Sequence, residues 1–87
     1  MSLLVMNDGL VLRTSIAIKY FRKANGFSQE KLAEKASLDR TYISGIERGK
    51  RNITLDSLDK IITALGVDQQ TFFNYVMQEA VDGISDK

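Results

Sequence analysis

The sequence predicts an all-α fold, a compact domain of five helices, and three observations predict it. Apolar residues recur at spacings of three and four, as on one face of a helix, and no segment alternates like a half-buried strand. The breaks between these segments fall at glycines and at residues that favour helix N-caps. A length of 87 residues suits one domain near the small end of what folds alone.

Clear end signals bound the first two helices. We predict the first helix over residues 11–24, where Ile18 and Phe21 face the core and the segment NGF ends it. Residues 1–10 are then an N-terminal extension. Ser28 is a favourable N-cap for the second helix. That helix carries three apolar residues that we expect to be buried: Leu32, Ala33 and Ala36.

The third helix follows after a link of only three residues, SLD, and Asp39 is its predicted N-cap. A link of this length is typical of a helix-turn-helix unit, which we place at residues 28–48. The glycine often found in such a turn is replaced by Ser37, and serine can adopt the turn at some cost in free energy.

Two further helices complete the domain. Thr54 is the predicted N-cap of the fourth helix, and Gly66 lies at its C-cap position. Asp68 is the predicted cap of the fifth helix, over residues 69–81, after which the polar tail is expected to fray. We expect the apolar residues of the fourth helix to face the core: Leu55, Leu58, Ile61, Ile62 and Leu65.

The charges are distributed unevenly along the chain. From Arg13 to Arg51 there are ten basic and four acidic residues, a net charge of +6, whereas the remainder carries −5. This clustering fits either chance placement on a solvated surface or a basic face suited to a polyanion.

The composition excludes several classes of function. Cysteine is absent, so neither disulfides nor thiolate metal sites can form, and we expect a cytoplasmic protein without a cofactor. No apolar run approaches the roughly 18 residues that span a membrane. Histidine is absent too, and no pair of acids clearly converges on one face, so we predict that the protein is not an enzyme.

The third helix has two contrasting faces on a helical wheel. The inward face carries Ile43, Ile46 and Glu47. The outward face is shallow and rich in hydrogen-bond donors, and it carries Thr41, Ser44, Gly45 and Arg48. Such a face suits insertion into the major groove of DNA, where the backbone comes close and side chains read base edges. Packing of Gly45 against a neighbouring helix is the alternative explanation of the glycine.

Glu47 needs a partner, because a carboxylate on an inward face must be paired or take up a proton. Arg22 follows the core residue Phe21 on the first helix, and we predict an ion pair between Arg22 and Glu47 that ties the first helix to the third. The alternative is a partly exposed Glu47 that reaches solvent past Ile46.

These residues carry a family resemblance. The segment GFSQEKLAEKASLDRTYISGIERGKRN resembles the Cro- and Xre-like helix-turn-helix proteins, which have a lambda-repressor-like fold. More narrowly, LDRTYISGIERGKRNIT is similar to the controller proteins of type II restriction–modification systems. The resemblance implies a homodimer that binds palindromic operators in double-stranded DNA and regulates its own gene and the endonuclease gene. Activation would also need a contact with RNA polymerase, for which the acidic half offers a surface.

The resemblance also implies roles for individual residues. Gln29, at the start of the second helix, matches a residue that hydrogen-bonds phosphate, and Arg22 with Glu47 matches a family ion pair. The positions that match base-contacting or phosphate-contacting residues of the recognition helix are Arg40, Thr41, Tyr42 and Ser44. Arg51 and Asn52 match a loop that contacts the DNA backbone and is placed so that it can also touch bases.

The basic residues divide by the chemistry that they offer. Arg40 is the best candidate for reading guanine, because its guanidinium can pair with O6 and N7 together. We expect the others to bind phosphate, which positions a protein without specifying sequence. These are Lys23, Arg48, Lys50 and Arg51.

The fifth helix is unusually apolar for the last helix of a small domain. We expect Phe72 and Val76 to close the core. The residues left for a partner subunit would be Phe73, Met77 and Ala80, which makes residues 68–82 a dimerisation helix. Alternatively, the whole apolar stripe lies within one subunit or is covered by the N-terminal LLVM segment.

Three alternative functions remain at this point. A helical module that binds only protein would explain the apolar fifth helix, but not the basic half or the outward face of the third helix. A phage-type repressor and an antitoxin use the same DNA-binding domain. An antitoxin usually carries an additional toxin-binding segment, and the short tail after Val81 leaves little room for one.

Overall fold

A computed structural model describes the backbone of residues 2–85 and the side chains of residues 9–78. This part of the chain contains five helices and no strand, which confirms the predicted all-α fold. The helices are α1 (Ser2–Ala24), α2 (Gln29–Ala36), α3 (Arg40–Glu47), α4 (Leu55–Leu65) and α5 (Gln69–Ser85).

Side-chain caps begin three of the helices, as predicted. In each, an oxygen of the cap accepts a hydrogen bond from a backbone N–H three residues on: Ser28 from Lys31 at 3.0 Å, Thr54 from Ser57 at 3.0 Å and Asp68 from Thr71 at 2.7 Å. Asp39 occupies the N-cap position of α3, but its side chain makes no capping hydrogen bond. Gly66 ends α4 in the left-handed conformation expected of a C-cap.

The first and last helices are longer than predicted. α1 begins at Ser2, so residues 2–10 continue the helix that we expected to start at Val11. α5 runs to Ser85, through most of the tail that we expected to fray. The chain holds no proline, so nothing blocks the addition of one hydrogen bond per residue beyond the ends that the apolar periodicity marks.

The core lies where α1 packs on α5 and where α2 packs on α3 and α4. Its largest fully buried side chains come from all five helices: Ile18, Leu32, Ile43, Ile61, Phe72 and Val76. The expected burial of Leu55 is wrong, because 83% of its surface is exposed. Leu55 is the first residue of α4. Its position on the helical wheel predicts an inward side chain, but that side chain lines a solvent-accessible groove instead.

The apolar residues of α5 divide as predicted. Phe72 and Val76 are fully buried, whereas Phe73 and Met77 are 39% and 53% exposed. Among the described residues, the stripe is therefore buried on one side and partly exposed on the other. Ala80 and the N-terminal LLVM segment lie outside the residues whose side chains the structure describes.

Candidate nucleic-acid interface

The turn between α2 and α3 sets the angle of α3. Ser37 adopts the left-handed conformation, with φ 58° and ψ 42°, in a position that glycine often fills. The N–H groups of Ser37 and Leu38 donate to the carbonyls of Glu34 and Ala33, at 3.2 and 2.9 Å. These two carbonyl groups in the last turn of α2 therefore have hydrogen-bond partners. The chain then enters α3 after three residues, which forms the helix-turn-helix unit.

A buried ion pair anchors the inward face of α3. The Arg22 Nε and Nη2 atoms donate to Glu47 Oε2 and Oε1 at 2.7 and 3.0 Å. The exposed fractions of the two side chains are 10% and 2%, which rules out the partly exposed Glu47. Arg22 Nη1 also donates to the Phe27 carbonyl at 2.8 Å. The pair therefore joins α1, the loop before α2 and α3.

Gln29 belongs to the same network, which the sequence did not indicate. Its Nε2 atom donates to Glu47 Oε1 at 3.0 Å, so the carboxylate accepts three hydrogen bonds. An amide nitrogen has two N–H groups, and the second remains for a ligand. Gln29 is the first residue of α2, where free backbone N–H groups and the helix dipole favour an anion.

The remaining residues of α3 lie largely where the helical wheel places them. Ile43 and Ile46 are buried, and Thr41 is exposed. Ser44 is half-buried and accepts a hydrogen bond from Arg48 Nη1 at 3.3 Å. Arg40 and Arg48, at the two ends, are exposed. Tyr42 is half-buried and packs against the edge of the core.

Gly45 is not open to a ligand, contrary to our expectation. A Cβ atom at this position would lie 2.6 Å from Arg51 Cγ, because the Arg51 side chain covers the glycine. The loop after α3 brings Arg51 there: the Lys50 N–H donates to the Gly45 carbonyl and the Gly49 N–H to the Ile46 carbonyl, both at 2.9 Å. Within the chain, the neighbour of Gly45 is therefore a loop arginine rather than another helix.

The surface around α3 is basic. Four exposed basic residues surround its outward face: Arg40, Arg48, Lys50 and Arg51. Within the described part of the chain, none of these four forms an ion pair, since the three ion pairs found there involve other residues. Asn52 is exposed beside them. The surface thus offers uncompensated positive charge together with hydroxyl and amide donors, the groups that contact phosphates and base edges.

Among the residues that the structure describes, no group of three or more acidic side chains could hold a metal ion. No helix in that part has the length and apolar character needed to cross a membrane.

Known proteins resemble this chain over its central region. Residues 18–68 match the helix-turn-helix family. The control protein C.BamHI of Bacillus amyloliquefaciens is 51% identical over 51 residues, which are 59% of this chain and 63% of that protein. The control protein C.MunI of Mycoplasma sp. is 41% identical over 75 residues, 85% of this chain and 100% of that protein. The chain thus spans less than two thirds of C.BamHI but all of C.MunI.

Solved structures agree with this relationship. The crystal structure of the wild-type restriction–modification controller protein C.Esp1396I matches with a TM-score of 0.81 and 46% identity, over 83% of this chain and 95% of that chain. The same controller protein has been solved as a tetramer with its natural 35 base-pair operator, which matches with a TM-score of 0.80. The chain therefore belongs to the Cro- and Xre-like helix-turn-helix family, and within it is similar to the controller proteins of restriction–modification systems.

Proposed function

We propose that this protein is a sequence-specific DNA-binding transcriptional regulator, the controller of a restriction–modification system, and that it binds a palindromic operator as a dimer. One observation carries the proposal. The inward face of α3 is fixed by hydrogen bonds among Arg22, Glu47 and Gln29. Its outward face carries exposed donors and basic residues that form no ion pair with any described residue. A helix held in this way can enter the major groove without losing its place in the fold.

The residues of this surface take different roles on DNA. Arg40 is the first residue of α3, is exposed and lacks an ion pair in the described structure, so it reads guanine through its two parallel donors. Thr41, Tyr42 and Ser44 contact bases or the adjoining phosphates. Backbone contacts are assigned to Gln29, through its second N–H, and to the basic rim and loop: Arg48, Lys50, Arg51 and Asn52.

The dimer is proposed to form through α5. Phe73 and Met77 are exposed, and Ala80 follows Met77 at helical spacing. Phe73 also borders a groove of about 280 Å³ between α1 and α4, whose lining includes Leu10, Val11 and Leu55. These exposed apolar side chains extend the surface that a second subunit would cover. A two-fold dimer places two recognition helices about 34 Å apart, one turn of DNA.

The remaining assignments follow from this function. We assign the helix-turn-helix unit to residues 28–48 and the dimerisation helix to residues 68–82. We further propose that the protein has no catalytic activity and works in the bacterial cytoplasm on nucleoid DNA. At promoters that it activates, the acidic half of the chain contacts RNA polymerase.

Footprinting on the DNA upstream of the protein's own gene tests this function. We expect a protected site with two-fold symmetry and an affinity that falls steeply with salt, because phosphate contacts release counterions. A fragment of the same composition in scrambled order is the control. Equal binding to both fragments at every salt concentration would reject a sequence-specific regulator, and protection of a site without two-fold symmetry would reject the dimer on a palindrome.

A further inference from the structure

Gly45 and Arg51 compete for the same space. A Cβ atom on Gly45 would lie 2.6 Å from Arg51 Cγ and 3.6 Å from both Arg51 Cβ and Nε. A Cβ atom essentially never lies within 3.0 Å of a heavy atom that belongs to a residue farther along the chain. The aliphatic part of Arg51 therefore rests directly on the backbone of α3, which is possible only because residue 45 has no side chain.

Tyr42 contacts the other end of the same arginine. Arg51 Cζ lies 5.6 Å from the centre of the Tyr42 ring, within range of a cation–π contact. Tyr42 is itself packed against the core, so it is a fixed support. The aliphatic stem of Arg51 thus lies against Gly45, and its guanidinium lies against the Tyr42 ring. Both contacts place Arg51 on the outward side of α3. Within the described residues the guanidinium has no carboxylate partner.

We propose that Gly45 is a positioning residue that holds Arg51 in one conformation against Tyr42, so that its guanidinium meets DNA already ordered. The inference rests on the proposed function, in which α3 faces DNA. Arginine has a long and flexible side chain, and fixing it on binding costs affinity. An arginine that is fixed before binding avoids that cost.

The glycine itself supports this role. Within a helix, alanine is more favourable than glycine, so the glycine at position 45 carries a cost in helix propensity. The contact with Arg51 gives a reason for that cost. Gly45→Ala should displace Arg51 and weaken DNA binding. Because the clash is with Arg51 Cγ, close to the loop backbone, it opposes the gain in helix propensity, so the melting temperature does not isolate the effect. A purely structural role of Gly45 would weaken binding equally whether or not Arg51 is present.

The free protein provides the first test, which needs no DNA. Side-chain ¹⁵N relaxation of Arg51 Nε should show an ordered group in the wild type and a mobile one in Gly45→Ala. Gly9→Ala is the matched control, because Gly9 is also helical and the nearest described atoms to its added Cβ are the flexible end of Arg13, at 3.0 Å. A mobile Arg51 in the wild type, or equal order in both proteins, would overturn the proposal.

A double-mutant cycle on the DNA fragment upstream of the protein's own gene provides the second test. We expect Gly45→Ala to weaken binding roughly 2- to 10-fold, the loss expected when one flexible side chain must be ordered on binding. In the Arg51→Ala background the same change should have no further effect. Equal losses in both backgrounds, or no loss in the wild-type background, would overturn the role of Gly45.

The two tests separate this inference from the proposed function. If the wild type binds neither the upstream fragment nor any duplex enriched from a random library, the proposed function fails, and the relaxation result still decides whether Gly45 orders Arg51. If the wild type binds and the cycle shows no coupling, only the positioning role of Gly45 fails.

Discussion

Arg22 Nε lies 2.7 Å from Glu47 Oε2, and 90% or more of each side chain is hidden from solvent. With the contacts to Phe27 and Gln29, this pair links α1, the loop before α2, and the helices α2 and α3. The orientation of α3 therefore depends on a charge pair as well as on apolar packing. A buried pair that has lost one partner is destabilising, because the other charge is left uncompensated.

Glu47→Ala should consequently lower the free energy of unfolding by about 3–5 kcal/mol, a large share of what a small domain has. Urea unfolding followed by circular dichroism measures it. Lys60→Ala is the control, because it breaks an exposed pair with Asp56 at 3.4 Å and should cost less than about 0.5 kcal/mol. An unchanged unfolding midpoint in Glu47→Ala would show that the pair does not stabilise the fold.

Gln29→Ala should affect DNA binding more than it affects the fold. Glu47 keeps both hydrogen bonds from Arg22, so we expect a stability loss of about 1 kcal/mol. Because a phosphate contact carries no sequence information, the affinity should fall equally for all DNA sequences. Because the amide is uncharged, the slope of log K against log salt should stay the same. Lys50→Ala, the comparison, should reduce that slope by about 1. Full affinity in Gln29→Ala would remove this residue from the phosphate contacts.

Acid should weaken the start of α5. A hydrogen bond from the backbone N–H of Thr71 holds the pKa of the Asp68 carboxyl below its ordinary value. A hydrogen bond with the Thr71 side chain lowers that pKa further, to a smaller extent. The stabilisation is therefore complete above the pKa of the unfolded chain and is lost as pH falls through the lower pKa of the folded protein.

Asp68→Asn tests this dependence, because asparagine also caps helices but does not titrate. We expect the variant to lose less stability than the wild type as the pH falls from about 5 to about 2, a range that includes the ordinary pKa of aspartate and extends below it. Unfolding midpoints measured across this range give the comparison. Parallel curves for the two proteins would mean that Asp68 contributes no pH dependence.

Met77→Lys should separate the subunits of the proposed dimer. A charge at an apolar interface would be buried without a partner, whereas the same charge is harmless on a free surface. Leu12→Lys is a matched control: Leu12 is 52% exposed and Met77 53%, but Leu12 is not among the residues that line the groove beside Phe73. In sedimentation at tens of micromolar protein, we expect a dimer for the control and a monomer for Met77→Lys. A wild type that sediments only as a monomer would reject the dimer.

The sequence was informative wherever periodicity or elementary electrostatics determines the answer. The buried face of α3, three of the four predicted helix caps, and the division of Phe72 from Phe73 follow from helical spacing and cap chemistry. The Arg22–Glu47 pair follows from the need of an inward carboxylate for a cation.

Three features did not follow, because each depends on where separate segments meet. The position of Arg51 over Gly45 is set by the path of the loop after α3, which periodicity does not describe. A helical wheel gives the direction of Leu55 but not the absence of a neighbour at the edge of the domain. The bond from Gln29 to Glu47 needs the angle between α2 and α3.

The Arg40→Ala variant decides whether α3 reads DNA. Competition titrations should compare the footprinted site with the same site carrying single guanine substitutions. We predict that the wild type discriminates against one guanine substitution in each half-site by roughly 1–3 kcal/mol, and that Arg40→Ala loses this discrimination at that position alone. If Arg40→Ala kept the sequence preference of the wild type at every position, then α3 would not read DNA through Arg40.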